Sequence, residues 1–289
     1  MASSSNNNSN IIILWSIPRS VSTAFERSIV QLSILLNQNK DIDTTTNVMD
    51  VYHEPFSQPY YYNEQDQQSK RFPPIKDTPS FEGVLNSIEN SAQTCQYVFS
   101  KDMAYYTKNH ISKLVNNKAT HTFIIRDPSK TIPSLYKASF NSKGHDTIYH
   151  ENMDFDPSEC GFVEMLAVFN HVKDELKQSP LVIDADDLLL NPSTYMKEYC
   201  NRTGLPYRED MLSWEAGVVP KGWEQWDGWH DDAINSNGLK KREKHKKEKV
   251  EKKIDRYEKE RKIQAVQDAI TQSMNAYEIM SKYKLIIEE

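Results

Sequence analysis

Little in this 289-residue chain points to covalent cross-linking, a membrane or a metal. Cysteine is scarce: Cys95, Cys160 and Cys200 are an odd number without C-x-x-C spacing. That argues against the disulfide framework of a small secreted domain and for reduced intracellular thiols, so a cytoplasmic setting is expected. No stretch reaches the about eighteen consecutive apolar residues that a membrane span needs. His110, His121, His145, His150, His171 and His230 show no repeated ligand spacing, so no metal site is expected. The G-x-x-x-x-G-K-[ST] pattern of nucleoside-triphosphate loops is absent, and with it the lysine and the magnesium-binding hydroxyl. No internal repeat is visible. The net charge of −6 implies no global attraction to nucleic acid or anionic membranes.

What is present is organised around one stretch near the start. Ile11–Trp15 is a run of five apolar residues with three isoleucines, the pattern of a parallel strand buried on both faces. Pro18 ends it. Arg19-Ser20-Val21-Ser22-Thr23 is small and polar, and Phe25, Ile29, Leu32, Leu35 and Leu36 then follow at helical spacing. Strand, tight turn and helix aim free backbone N–H groups and a positive helix end at an anion. Ser20, Ser22 and Thr23 add hydroxyl donors, and Arg19 adds a permanent cation. The plain alternative is a strand–turn–helix with a surface arginine. Before it, the Ser/Asn-rich residues Met1–Asn10 have no basic flank and read as a disordered tail rather than a signal peptide, leaving 11–289 as the folded domain.

Further strands alternate with helices. Val48–Tyr52 is a short strand ending in His53-Glu54-Pro55-Phe56, residues that would face the crevice of a parallel sheet. Ser57–Ser80 is rich in Tyr, Pro, Gln and Asn and reads as a lid over an acceptor or as a solvated loop. A helix over Phe81–Ala92 precedes a strand at Tyr97–Phe99, followed by Ser100-Lys101-Asp102 and a helix expected from Met103 to Val115. His121–Arg126 is a fourth strand, and Asp127-Pro128 opens the next helix. A helix over Gly161–Lys177, a fifth strand at Leu181–Asp184 and a helix after Asn191-Pro192 complete the core. The alternation implies an α/β fold of three layers, a parallel sheet flanked by helices. Trp214, Trp223, Trp226 and Trp229 crowd one polar stretch, where they either wall a pocket, stack on a base, or clamp a loop on the core. Lys240–Lys262 carries thirteen Lys/Arg against six Asp/Glu and reads as a long charged C-terminal helix. An apolar stripe at Val250, Ile254, Tyr257, Ile263, Val266, Ile270 and Met274 implies that it docks, on the core in preference to a partner.

Pro18-Arg19-Ser20-Val21-Ser22-Thr23 resembles the loop of sulfotransferases that use 3′-phosphoadenosine 5′-phosphosulfate (PAPS), a strand running into Pro-[Lys/Arg]-Ser-x-[Ser/Thr]-Thr. Val21 stands where many members have glycine, and Arg19 where many have lysine. The resemblance implies a nucleotide-kinase-like sheet, with this loop on the 5′-phosphosulfate. Arg126 at a strand end and Ser134 on the following helix resemble the pair with which the family grips the 3′-phosphate. Read singly, they are an arginine paired with Asp127 and a serine on a helix face. Leu181–Leu190 with Asn191-Pro192, then Gly204-Leu205-Pro206 and Trp214, extend the likeness over most of the core.

Two departures stand out. Only Lys221-Gly222-Trp223 echoes the late loop that closes over the 3′-phosphate, and Lys101-Asp102-Met103 replaces the common Lys-x-His, so the usual histidine base is missing. Lys101 would neutralise a sulfuryl oxygen, or else is a solvated strand-end lysine paired with Asp102. Glu54 is the expected base, since other branches of the family place a glutamate after this strand, with burial beside Phe56 raising its pKa. His53 is the rival, as the base itself or as the group orienting Glu54; a glutamate capping a loop or pairing with Arg19 is the plain alternative. The implied activity is transfer of a sulfuryl group from PAPS to a hydroxyl or amine of a small-molecule acceptor, without a metal. A magnesium-dependent small-molecule kinase and a catalytically inactive nucleotide-binding or scaffolding protein are the other readings.

Overall fold

The computed structural model describes residues 10–38, 47–115, 119–141, 155–226, 228–241 and 256–287. Five strands, β1 (Ile11–Ser16), β2 (Met49–His53), β3 (Tyr97–Met103), β4 (Ala119–Ile125) and β5 (Leu181–Asp184), form one sheet in the order β2-β3-β1-β4-β5. Each neighbouring pair is parallel. The helices are α1 (Ser22–Gln38), α2 (Ser57–Tyr62), α3 (Phe81–Thr94), α4 (Pro128–Asn141), α5 (Phe162–Asn170), α6 (Ala185–Leu190), α7 (Pro192–Thr203), α8 (Asp231–Ile234) and α9 (Arg256–Ser281). No described helix is long and apolar enough to cross a membrane.

The central strand shows why the layers form. Every residue of β1 is buried, and successive side chains of a strand point to opposite faces. Ile11, Ile13 and Trp15 join Phe81, Val84 and Ile88 of α3, Met165, Val168 and Phe169 of α5, and Ala269, Ala276 and Met280 of α9. Ile12 and Leu14 join Phe25, Ile29 and Leu32 of α1 with Met196, Tyr199 and Cys200 of α7 on the other face. The apolar run is therefore an inner strand with a helix layer on each side, as its composition implies.

One expected element is absent. Met103–Val115 is not an α-helix: β3 runs on to Met103, with Asp102 and Met103 in register with Trp15 and Ser16 of β1. Only 3-10 turns at Ala104–Thr107 and Ile111–Val115 follow. Ala104, Tyr105, Tyr106 and Thr107 are all buried, which a helix with one buried face cannot achieve. The expected disordered tail lies outside the described residues except for Asn10, as do 39–46 and, of the charged C-terminal segment, 242–255 with Val250 and Ile254. The described part of α9 docks as expected: Val266 and Ile270 pack on the core beside buried Ala269, while Ile263 is exposed.

The chain leaves β1 toward β2 and β3 on one side and returns to β4 on the other, so the β1–β4 boundary is the switch point where parallel sheets open a crevice. A segment after α8 lies along that opening. Its anchor is Gly238, bridged to Ser213, with the Leu239 N–H donating to the Leu212 carbonyl at 2.9 Å. Gly238 has φ of 153°, and a Cβ there would stand 2.6 Å from the Leu212 oxygen. Gly238→Ala is therefore expected to lower stability by about 1–3 kcal/mol in urea denaturation; an unchanged midpoint would show that this anchor yields without cost.

Candidate active site

The loop between β1 and α1 is closed on itself by Ser20, whose hydroxyl donates to the Ile17 carbonyl at 2.7 Å. Ser20 is buried by this bond and does not line the cleft, unlike the other residues expected to hold an anion. Arg19 and Val21 flank it with φ of 64° and 69°. Left-handed backbone at a β-branched residue is unusual, and it explains why related loops use glycine at Val21. α1 starts at Ser22, so its first N–H groups lack intrahelical partners and face the same opening.

That opening is a cleft of about 420 Å³ lined by Arg19, Val21, Ser22 and Thr23 of the loop and by Arg126 and Ser134 across the switch point. Trp229, His230 and Lys240 line it from the late segment. The two arginines are joined through the loop. Arg126 Nη1 donates to the Arg19 carbonyl at 3.3 Å, and Arg19 Nε donates to Ser134 Oγ at 3.1 Å. Each arginine also has a carboxylate: Asp232 lies 3.2 Å from Arg19 Nη2, and Asp186 lies 3.3 Å from Arg126 Nε. Asp127, the partner that a solitary reading gave Arg126, instead accepts from the Ser129 amide.

Behind the cleft lies a buried cluster of ionisable groups at the ends of β2 and β3. Lys101 is fully buried and its ammonium bonds Glu54 Oε1, not Asp102. Glu54 also accepts from Tyr106 Oη at 3.0 Å, and its backbone is left-handed, with φ of 44°. Burial alone would raise the Glu54 carboxyl; the Lys101 ammonium against it outweighs burial and holds it at about 2. The expected upward shift is thus reversed, because the sequence did not reveal that Lys101 points inward. Asp102 goes the other way, raised well above the ordinary range by burial and then by the Glu54 charge.

His53 does not orient Glu54. Its Nδ1 faces both oxygens of Glu26 at 2.9 and 2.8 Å, and its Nε2 faces His230 Nε2 at 2.9 Å. Trp223 Nε1 donates to Glu26 Oε1 at 3.2 Å. Burial pushes His230 well below its ordinary value, and the Lys101 and Arg19 charges act in the same direction. Among the described residues, His53, Glu54 and His230 offer ligand atoms within 4.8 Å of one another, a spacing that suits a metal ion. The donor set argues against one: the two Nε2 atoms are spent on each other and Glu54 on Lys101.

Glu26, His230 and Tyr106 were not singled out from sequence. Glu26 sits on α1 beside Val30, Ser33 and Asn37 at helical spacing along a second hollow of about 560 Å³, an arrangement that reads as ordinary amphipathicity. Lys221 and Gly222, the echo of the closing loop, border this hollow with His53 and not the cleft; Ser236–Lys240 covers the cleft instead. Of the tryptophans, Trp214 and Trp223 are buried, Trp226 packs edge-on against Tyr61, and Trp229 lines the cleft.

A family model described as sulfotransferase domain matches residues 10–251. "Branched-chain-amino-acid aminotransferase-like protein 2" of Arabidopsis thaliana is 24% identical over 238 residues, covering 81% of this chain, which spans only 37% of that relative's length. "Sulfotransferase ppzF" of Metarhizium rileyi is 28% identical over 102 residues, 32% of this chain and 30% of that protein. Among solved structures, the sulfotransferase domain of the Synechococcus PCC 7002 olefin synthase aligns over 91% of this chain and 96% of its own, at 12% identity and a TM-score of 0.42.

The inner ion pair yields a stability test. Glu54→Gln leaves the Lys101 ammonium buried and unpaired, an expected loss of about 3–5 kcal/mol, and adding Lys101→Met recovers most of it. A carboxyl lowered from 4.5 to about 2 supplies stability above pH 4.5 that is lost as pH falls toward 2. Asp102, with its raised value, has the opposite sign: the unfolded carboxyl ionises at the ordinary value while the folded one keeps its proton, so stability falls as pH rises from the ordinary value to the raised one. Urea midpoints from about pH 5 down to pH 2 should fall steeply in the native protein and more gently in the double variant; parallel curves would show that the pair does not govern acid stability.

Proposed function

This chain belongs to the sulfotransferase domain family, and on that premise we propose that it transfers a sulfuryl group from PAPS to a hydroxyl or amine of a small-molecule acceptor, with residues 11–289 acting as one domain in a cytoplasmic setting. The observation that carries the reading is the convergence of Arg19, Arg126, Ser134 and the start of α1 on one cleft at the switch point. Two arginines and a helix N-terminus suit a ligand with two separate phosphate groups. The loop of Arg19, Val21, Ser22 and Thr23, shaped by Ser20, takes the 5′-phosphosulfate, and Arg126 with Ser134 takes the 3′-phosphate. Asp186 and Asp232 are the acceptors that a phosphate displaces.

In the reaction the acceptor oxygen or nitrogen attacks sulfur while the bond from sulfur to the 5′-phosphate oxygen breaks. Negative charge grows on the leaving phosphate, where Arg19 and the loop amides stabilise it. The acceptor's proton needs a base. Glu54, the expected one, is bound by Lys101 and Tyr106 and held at about 2, a weak acceptor at neutral pH. His53, free of Lys101 and backed by the Glu26 carboxylate, suits receiving that proton, with His230 standing at its Nε2. Lys101 then fixes the charge of Glu54 and reaches a sulfuryl oxygen only by leaving it.

Calorimetry with adenosine 3′,5′-bisphosphate against ATP–Mg²⁺ tests the class: tight binding of the first alone is expected, and preference for ATP–Mg²⁺ would favour a kinase. Arg126→Ala and Ser134→Ala are each expected to weaken the bisphosphate by about 1.5–3 kcal/mol more than AMP; equal losses would show that they serve the fold. Arg19→Ala should reduce turnover more than affinity for the bisphosphate, because the charge it meets develops in the transition state, and Arg19→Lys should retain much of the rate. Normal turnover in Arg19→Ala would remove it from the mechanism.

A further inference from the structure

Glu26, His53 and His230 come from α1, the end of β2 and the turn before α8, and their side chains form one unbroken line. At one end is a carboxylate with no exposed surface. At the other is His230, which lines the cleft and lies next to Trp229, whose carbonyl accepts from Arg19. Its Nδ1 is buried and, among the described residues, has no hydrogen-bond partner. We infer that His230 is the group that takes the acceptor's proton, and that Glu26 and His53 behind it form a relay that carries the charge away from the cleft. This rests on the sulfuryl-transfer reading above and extends it by a residue that the sequence resemblance does not supply.

The proton positions follow from the contacts. Both oxygens of Glu26 face His53 Nδ1, and an ionised carboxylate only accepts, so Nδ1 carries a proton. A His53 ring whose one proton is on Nδ1 has a lone pair at Nε2, and the proton in the 2.9 Å gap then belongs to His230 Nε2. A neutral His230 then presents a lone pair at Nδ1. The groups surrounding it are His53, Glu54, Lys101 and Arg19. Burial, Lys101 and Arg19 oppose a proton on the ring and Glu54 favours one; the first three prevail, so the ring is neutral in neutral solution.

When the acceptor attacks, its proton passes to His230 Nδ1 and the proton on His230 Nε2 moves to His53 Nε2. His53 becomes the imidazolium, next to a carboxylate that stabilises it, and His230 is neutral again with its proton on Nδ1. One proton enters the line and none is lost, and the electron pair of the broken sulfur–oxygen bond leaves with the phosphate. His53 thus acts through His230, since His230 covers its Nε2. Glu26 is a positioning residue.

Two measurements on the full chain test this. In ¹⁵N-histidine NMR at neutral pH, with resonances assigned by their loss in His53→Gln and His230→Gln, His53 Nδ1 should be protonated and His230 Nδ1 bare. Glu26→Gln should release the His53 tautomer. A proton on His230 Nδ1 in the native protein would overturn the relay whatever the variants do. The second measurement compares PAPS-dependent transfer to simple alcohols and phenols with the reverse transfer from p-nitrophenyl sulfate to adenosine 3′,5′-bisphosphate. In the reverse direction a phenolate departs and no proton is removed from the attacking group. His230→Gln, checked for folding by bisphosphate calorimetry, is expected to lose about 10²-fold or more toward alcohols and far less in the reverse reaction. Equal losses in both directions would overturn the assignment, and a native protein inactive in both would overturn sulfuryl transfer itself.

Discussion

An ammonium with no exposed surface sets the terms for this end of the sheet. Lys101 is on β3, and its charge is tolerable only because Glu54 meets it. Glu54 reaches it from a left-handed turn directly after β2, a backbone state that a glutamate adopts only when its surroundings insist. The same turn brings the Phe56 N–H onto Asp102 and fixes His53 at the strand end, facing Glu26. Buried charges at adjacent strand ends thus dictate where the neighbouring side chains go, and the cluster behind the cleft is the result.

Two electrostatic regimes meet at His230. On the cleft side the ion pairs touch water: in the Arg19–Asp232 pair the side chains are 26% and 92% exposed. Such pairs contribute little and rearrange at low cost, which suits the exchange of a carboxylate for a phosphate proposed for these residues. On the inner side Lys101, Glu54, His53 and Glu26 are nearly sealed, and there each interaction is stronger and each vacancy costs more. The outer groups suit binding an anion; the inner ones suit holding a proton in a defined place.

Much of this was legible because it is local. The alternation of apolar runs with helical spacing located all five strands, and residues just past the ends of β1 and β4 did gather at one opening, with Glu54 past β2 buried behind it. What was not legible is contact between distant segments. His230 is paired with His53 across 177 positions, and neither has neighbours that advertise the other. The inward course of Lys101 was hidden because a polar Ser-Lys-Asp triplet reads as a strand end, whereas pairing with β1 carries the strand on through Met103. The error over Glu54 follows from that one: burial without a counter-charge raises a carboxyl, and burial with an ammonium lowers it.

The late segment that walls the cleft also makes the order of synthesis matter. All five strands have been made once Asp184 is added, while the carbonyl of Trp229, the side chain of His230 and the Gly238 anchor come later. A nascent chain or a product truncated after α7 therefore has the residues of the sheet and of the loop, yet only one side of the cleft and no partner for His53 Nε2. Partial chains of this kind are denied the wall that Trp229, His230 and Lys240 build along the cleft.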